Sequence, residues 1–463
     1  MLPLPKKSHY ASAGGRTLPF ALLVILLLSS TLQAAKAPKI KDPETALEYR
    51  DLDKAISMVE KPKEYKDKEK LLYYLDAGML YHYQGDWQKS NELLSRAEDA
   101  IVELYTKSLS TAAASMLLND NALDYSGEDY EDVYINVFKA LNYLHLNDRD
   151  AAMVEIRRVD DKLAYLEQKH AKMAKEMASD PQNKADIKAG KNKFHSSALA
   201  RYLSMLLYLY DGKSDDARID YDNVGFAFQS QPEIYPFSQP ELIHPNSGQD
   251  SPILRVVSFV NSTPIKRERE MHIHTSKDLL LIGSVDKTID VYPIAWEGID
   301  EGYYFKFAIP YLEDKAPRVG RVEAVTADGS RYRLSKLEDM GLVARRTFEI
   351  KEPMILLKSV ARSVMKGVAA EAAKDQAQKK TSSLVSSLLS LAADAAVFFS
   401  ENADLRLSKF FPANALIAEI PISAGTQELT IEYYSPQGAL IFSETKTVEI
   451  AERDLNLVES WHF

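Results

Sequence analysis

From Leu71 to Val102 apolar and small residues return every third or fourth position, the spacing of one helical face. Beyond Ile253 they alternate with polar residues instead, the spacing of strands. In the first segment Gly78 is expected to let a second helix approach closely, Tyr81 to pack into that contact, and Gly85-Asp86 to turn the chain. Ser90, Leu94 and Ala97 then line the inner face of the second helix. This is the layout of one tetratricopeptide repeat, two antiparallel helices that present surfaces.

The layout returns twice, more faintly. Ala140, Tyr143, Asn147-Asp148, Ala152, Ile156 and Val159 form one copy; Tyr208, Asp211-Gly212, Ala217, Tyr221 and Val224 form the other. Turns at Gly85, Asn147 and Gly212 lie 62 and 65 residues apart, so the units are separated by additional chain. No proline falls between Pro62 and Pro181. Residues 40–230 are therefore expected to form a tetratricopeptide-like helical solenoid with insertions, three hairpins being about the minimum for a stable stack. An irregular helical bundle is the alternative.

Pro232, Pro236, Pro240, Pro245 and Pro252 break both periods, which predicts a linker over 231–252. Short alternating runs follow, among them ILRVVSFVN, REMHIHT, YYFKFAIPYL, GRVEAVTA, RYRLSKL, ALIAEIPIS and ELTIEYYSP, and residues 253–463 are read as an antiparallel β-sandwich. A helical hairpin over 353–400 interrupts it. Leu357, Val360, Ala361, Val364, Val368 and Ala372 make an apolar stripe, and Thr381–Phe399 is a second helix poor in charge. Such a hairpin packs over a sheet; the alternative is contact with a membrane surface or a partner helix. The fold class expected is thus α+β and multidomain.

The first 34 residues read as a signal peptide, with Lys6, Lys7 and Arg16 before an apolar run from Phe20 to Leu28 and a cleavage site at Leu32-Gln33-Ala34. Its removal leaves 54 basic against 67 acidic side chains, a balance that disfavours nucleic acid as a partner. Cysteine is absent, which excludes disulfides, thiolate chemistry and a lipid on an N-terminal cysteine. The expected location is the periplasm, as an exported protein that is not a lipoprotein.

The candidate binding residues lie between the first two hairpins. Glu128, Asp129, Glu131 and Asp132 suit the positive end of a helix dipole. Asn119, Asp120, Asn121, Asp124, Tyr125, Asp129 and Tyr130 are expected to line the concave surface and to bind a cationic or hydroxyl-rich partner. His272 and His274 share one face of a strand, but two histidines lack a third ligand, and neither a metal nor another cofactor is expected. No nucleophile elbow, phosphate loop, zincin helix or dinucleotide fingerprint occurs, so no catalytic residue is assigned.

The segments LLYYLDAGMLYHYQGDWQKSNELLSRAE, AAASMLLNDNALDYSGEDYEDVYINVFKALNYL and NADLRLSKFFPANALIAEIPISAGTQ resemble a family of uncharacterised bacterial envelope proteins with tetratricopeptide-like N-terminal halves. Family members are often lipoproteins, encoded near an outer-membrane lipoprotein that activates penicillin-binding proteins. This chain departs from the pattern by lacking the lipid-bearing cysteine, and a tryptophan expected just after Asp404-Leu405-Arg406 is replaced. The resemblance implies no established activity. Together these readings predict a non-enzymatic scaffold that binds a protein or peptide partner in the cell envelope, in cell-wall or outer-membrane assembly. The alternatives are an envelope hydrolase or glycan-binding protein acting on peptidoglycan, and an accessory of an export or surface-fibre system.

Overall fold

The computed structural model describes residues 40–61, 63–110, 118–178, 189–248, 251–378, 402–452 and 454–463, with side chains of the long internal helix described as far as 366. The expected signal peptide and the helix expected over Thr381–Phe399 lie outside the described residues. The fold is mixed, an N-terminal helical region followed by three largely antiparallel sheets.

Short helices α1 (Pro43–Glu48) and α2 (Leu52–Val59) lead into α3 (Lys70–Gln84) and α4 (Trp87–Ser110). Then come α5 (Asp129–His145), α6 (Arg149–Ala178), α7 (Ala198–Tyr210) and α8 (Ser214–Ser230). The pairs α3/α4, α5/α6 and α7/α8 pack as hairpins. Their turns share one geometry. Gly85, Asn147 and Gly212 adopt φ of 90°, 60° and 71°, and the N–H groups of Asp86, Asp148 and Lys213 donate to the carbonyls of Tyr81, Tyr143 and Tyr208. That left-handed residue closing the helix is the reason glycine or asparagine stands there. At Gly78 a Cβ would meet Leu94 Cδ2 at 2.7 Å, and Ser90 Oγ donates to the Gly78 carbonyl, so the close approach of α3 and α4 is as the spacing predicts. Tyr81 is placed otherwise. Its hydroxyl bonds Glu60 beside α2, and it is Tyr83 that is buried, donating to the Phe410 carbonyl.

The strands are β1 (Ile253–Ser262), β2 (Ile265–Ser276), β3 (Leu279–Ser284), β4 (Tyr292–Ala295), β5 (Tyr304–Glu313) and β6 (Arg321–Thr326). After β7 (Arg331–Arg333) and β8 (Ser335–Asp339) comes the helix α9 (Met340–Gln378), then β9 (Pro412–Pro421), β10 (Gly425–Tyr434), β11 (Leu440–Ile450) and β12 (Leu457–His462). Sheet orders are β12-β1-β9-β8, β11-β10-β6-β7 and β4-β3-β2-β5. β1 runs parallel to β12, with Val256 opposite Val458, and antiparallel to β9. RYRLSKL, read as one strand, divides at Leu334 between two sheets, because β7 pairs with β6 whereas β8 pairs with β9.

β1 is buried along almost its whole length because both its faces are covered. Leu254, Val256 and Val260 share a core with Leu429, Ile431 and Tyr433 of β10. From the opposite face Phe259 meets Phe138 of α5 at 5.1 Å. Residues 42–463 accordingly form one compact unit, and the expected boundary at 231–252 does not part a helical body from a strand-rich one. Three buried glutamates fix the helices on the central sheet. Glu459 of β12 accepts from His82 and His145; Glu338 of β8 from Tyr134, Ser197, Tyr235 and the Leu199 N–H; Glu419 of β9 from Tyr202 and the Ile243 N–H.

α9 begins at Met340, ahead of the expected start at 353, and Pro353 lies within it. Its Val360, Ala361 and Val364 join Met271, Ile273 and Phe307 in a core over the third sheet, so this part of the apolar stripe packs on strands. Pro353 has no N–H, which leaves the Glu349 carbonyl without its intrahelical donor. Against that turn lies Gly190, whose N–H donates to the Ile350 carbonyl at 2.7 Å. A Cβ there would stand 2.6 Å from the Glu349 oxygen. Gly190→Ala is expected to lower unfolding free energy by about 2 kcal/mol, measured by urea denaturation, because backbone opposes backbone and no side chain can turn away. Among the described residues no helix is long and apolar enough to cross a membrane.

Candidate functional site

Where α4, α5, α6, β2 and α9 converge, a cavity of about 530 Å³ opens beside the loop that precedes α5. One wall is apolar, formed by Ile101 and Leu104 of α4, Met173 and Met177 of α6, and Met354 and Ile355 of α9. Methionine suits such a wall, since its unbranched thioether adapts to varied shapes. Much of the remaining lining is charged. It carries Asp120, Asp124, Glu128 and Asp129 from the loop and helix start, with Lys169 and His170 from α6, Lys266 from β2, and Lys351 and Lys358 from α9.

The seven loop residues predicted to bind a partner divide. Asp120, Asp124, Tyr125 and Asp129 line the cavity; Asn119, Asn121 and Tyr130 are not part of its lining. Asn121 Nδ2 donates to the carbonyls of Asn402 and Ala403, both at 2.9 Å, and Asn119 Nδ2 to that of Asn402, fastening the loop to the chain before β9. Tyr130 is 1% exposed, its ring edge-on to Phe411, and therefore belongs to the core. Three of these four lining residues are buried or already paired, and Asp124 is exposed with an ion-pair partner. Tyr125 is buried and donates to Glu131 at 2.8 Å, Asp120 is paired with Lys358, and Asp124 with Lys107 at 2.7 Å.

At the start of α5 the capping glutamate Glu128 receives two ammonium groups, Lys266 Nζ on Oε1 and Lys351 Nζ on Oε2, each at 2.6 Å. Burial alone would raise its pKa, but these two cations hold the carboxyl below its ordinary value. Asp129, next along, takes Lys169 at 2.9 Å on one oxygen and has His170 Nε2 2.6 Å from the other. It too is held well below the ordinary carboxylate range, Lys169 and His170 overcoming the cost of burial. Lys351 is shifted up, because the charges of Glu128 and Asp129 outweigh its own burial.

Behind this pair Glu131 closes the helix cap by accepting from the Glu128 N–H. It also accepts from the Ser408 N–H, and no lysine or arginine is paired with it among the described residues. Burial, then the charge of Glu128, pushes its carboxyl up to about 7. Asp76, which receives Ser408 Oγ, Tyr65 Oη and the Lys409 N–H, is pushed up to about 6 by burial.

Lys351 and Lys358 lie seven apart with Met354 and Ile355 between them, a spacing that puts them on one side of a helix. Lys266 and Lys169 gave no local signal. His272 and His274 do share a face, where both rings lie near Tyr304. Among the described residues no three His, Asp or Glu side chains are placed to hold a metal ion. No protein-family model, curated protein or solved structure matches the chain.

Proposed function

We propose that the protein is an exported, non-enzymatic scaffold of the bacterial cell envelope that holds a protein or peptide partner, in cell-wall or outer-membrane assembly. The observation that carries this reading is the cavity at the meeting of helices and strands, half apolar and half ionic, within the range of volumes that bind small ligands or short segments of chain. Supporting it, the three hairpins with a common turn are read as tetratricopeptide-like repeats, and the two sheets that share the core around Val256 as a sandwich. Export is inferred from the basic and apolar pattern of the first 34 residues.

Leu104 and Ser108 line the cavity one helical turn apart on α4, and both are only half-buried. Leu104→Trp and Ser108→Trp would fill the space without touching the ion pairs. Captured from gentle detergent extracts of the envelope, the wild-type chain is expected to recover a partner that the doubly substituted chain loses. Equal recovery by the two would rule out the cavity as the binding site.

A further inference from the structure

The charges around the cavity do not balance, and the imbalance selects a ligand. Lys169, Lys266 and Lys351 face two carboxylates, Glu128 and Asp129. Asp404, which also draws on Lys266, is taken by Arg406 at 2.8 Å. Glu131 stands behind Glu128 as a partly protonated acid and brings at most a part charge at neutral pH. The remaining cavity ions, Lys358 with Asp120 and Lys107 with Asp124, are matched pairs. Among the described residues the three lysines of the inner cluster therefore outnumber its two fully charged carboxylates, and with Glu131 only part-charged the cluster is left net positive, His170 beside Asp129 adding no negative charge. The side chain of Lys266 is only 5% exposed and that of Glu128 4%, so water screens this surplus poorly.

The geometry points to a ligand that brings one carboxylate to Lys266 and Lys351 and lays apolar side chains against the methionines: the free C-terminus of a peptide ending in apolar residues. This rests on the reading of the cavity as the partner site and adds the chemistry that is recognised. A second anion beyond the first would meet Glu128 and Asp129, which favours a monoanion over a phosphate or a polyacidic segment. An acyl chain asks for an apolar wall all round, whereas this lining also holds paired ions, Tyr105 and Ser108, which suit the polar backbone of a peptide.

The test uses a fluorescently labelled pentapeptide ending in two leucines, its C-terminal amide, and decanoate, titrated against the full chain by anisotropy or competition. The free acid is expected to bind at least about tenfold more tightly than the amide, the worth of a hydrogen bond between charged groups. Lys351→Gln is expected to erase that preference and Lys351→Arg to keep it, with circular dichroism confirming that each variant is folded. Acid and amide binding equally, or decanoate displacing the peptide at lower concentration, would overturn the carboxy-terminus. If no peptide binds while Leu104→Trp and Ser108→Trp still abolish partner capture, this inference falls and the site stands. If partner capture is indifferent to those substitutions, the site itself falls.

Discussion

Glu338→Ala is expected to lower the unfolding free energy by ~4 kcal/mol, the largest effect of any single side-chain truncation proposed for this protein. Glu338 is fully buried, and its two oxygens accept from Tyr134, Ser197, Tyr235 and the backbone N–H of Leu199. Those donors come from α5, the start of α7 and the segment after α8, so one carboxylate on β8 ties three parts of the helical region to the central sheet. Removing it strands donors that water cannot reach, and each unsatisfied group costs about 1–3 kcal/mol. Glu338→Gln keeps the shape but presents an amide N–H₂ toward donors, and should cost roughly half as much. Urea denaturation followed by circular dichroism measures both. A loss below about 1 kcal/mol for the alanine variant would show that the helices are held on the sheet by apolar contact alone.

Stability should fall as pH rises toward neutrality, through Glu131. Its carboxyl is pushed up to about 7 by burial and by the charge of Glu128, while in the unfolded chain it titrates near its ordinary value. The folded state therefore binds the proton more tightly. That contribution is complete below the unfolded pKa and is lost as pH climbs through about 7. Asp76, pushed up to about 6, has the same sign. Glu128 and Asp129 have the opposite one: their lowered pKa values contribute stability above the ordinary carboxylate range that is lost in stronger acid. Because several groups titrate together, the comparison that isolates Glu131 is wild type against Glu131→Gln. Between about pH 4 and about pH 8 the wild-type chain should lose ~3 kcal/mol relative to the variant. Parallel stability curves for the two would mean that Glu131 is ionised throughout.

Both effects depend on residues whose importance is invisible locally. Glu338 sits in RYRLSKLED, where its alternation suggests an ordinary strand carboxylate, and only the docking of α5 and α7 takes it out of water. Tyr125 and Asp129 read as surface groups of an acidic loop, yet the loop is folded inward against β2, α6 and α9 and its charges are met by lysines far along the chain. Four of the seven residues read as a binding surface line the cavity, and of these Tyr125 and Asp129 are buried. The lysines complete the cavity from positions separated by up to about two hundred residues, a distance at which spacing carries no signal.

What the sequence determined by itself is what short-range geometry controls. Gly85, Asn147 and Gly212 marked the three turns because few residues tolerate a left-handed backbone; Gly78 marked the contact of α3 with α4; alternation marked most strands. Tertiary structure alone decided that β12 lies parallel to β1, that RYRLSKL divides between two sheets, and that helices and strands share one core. It also decided which charges are buried and with whom. The physical reason is the same in each case: backbone conformation is set within a few residues, whereas desolvation and ion pairing are set by whatever part of the chain arrives to exclude water.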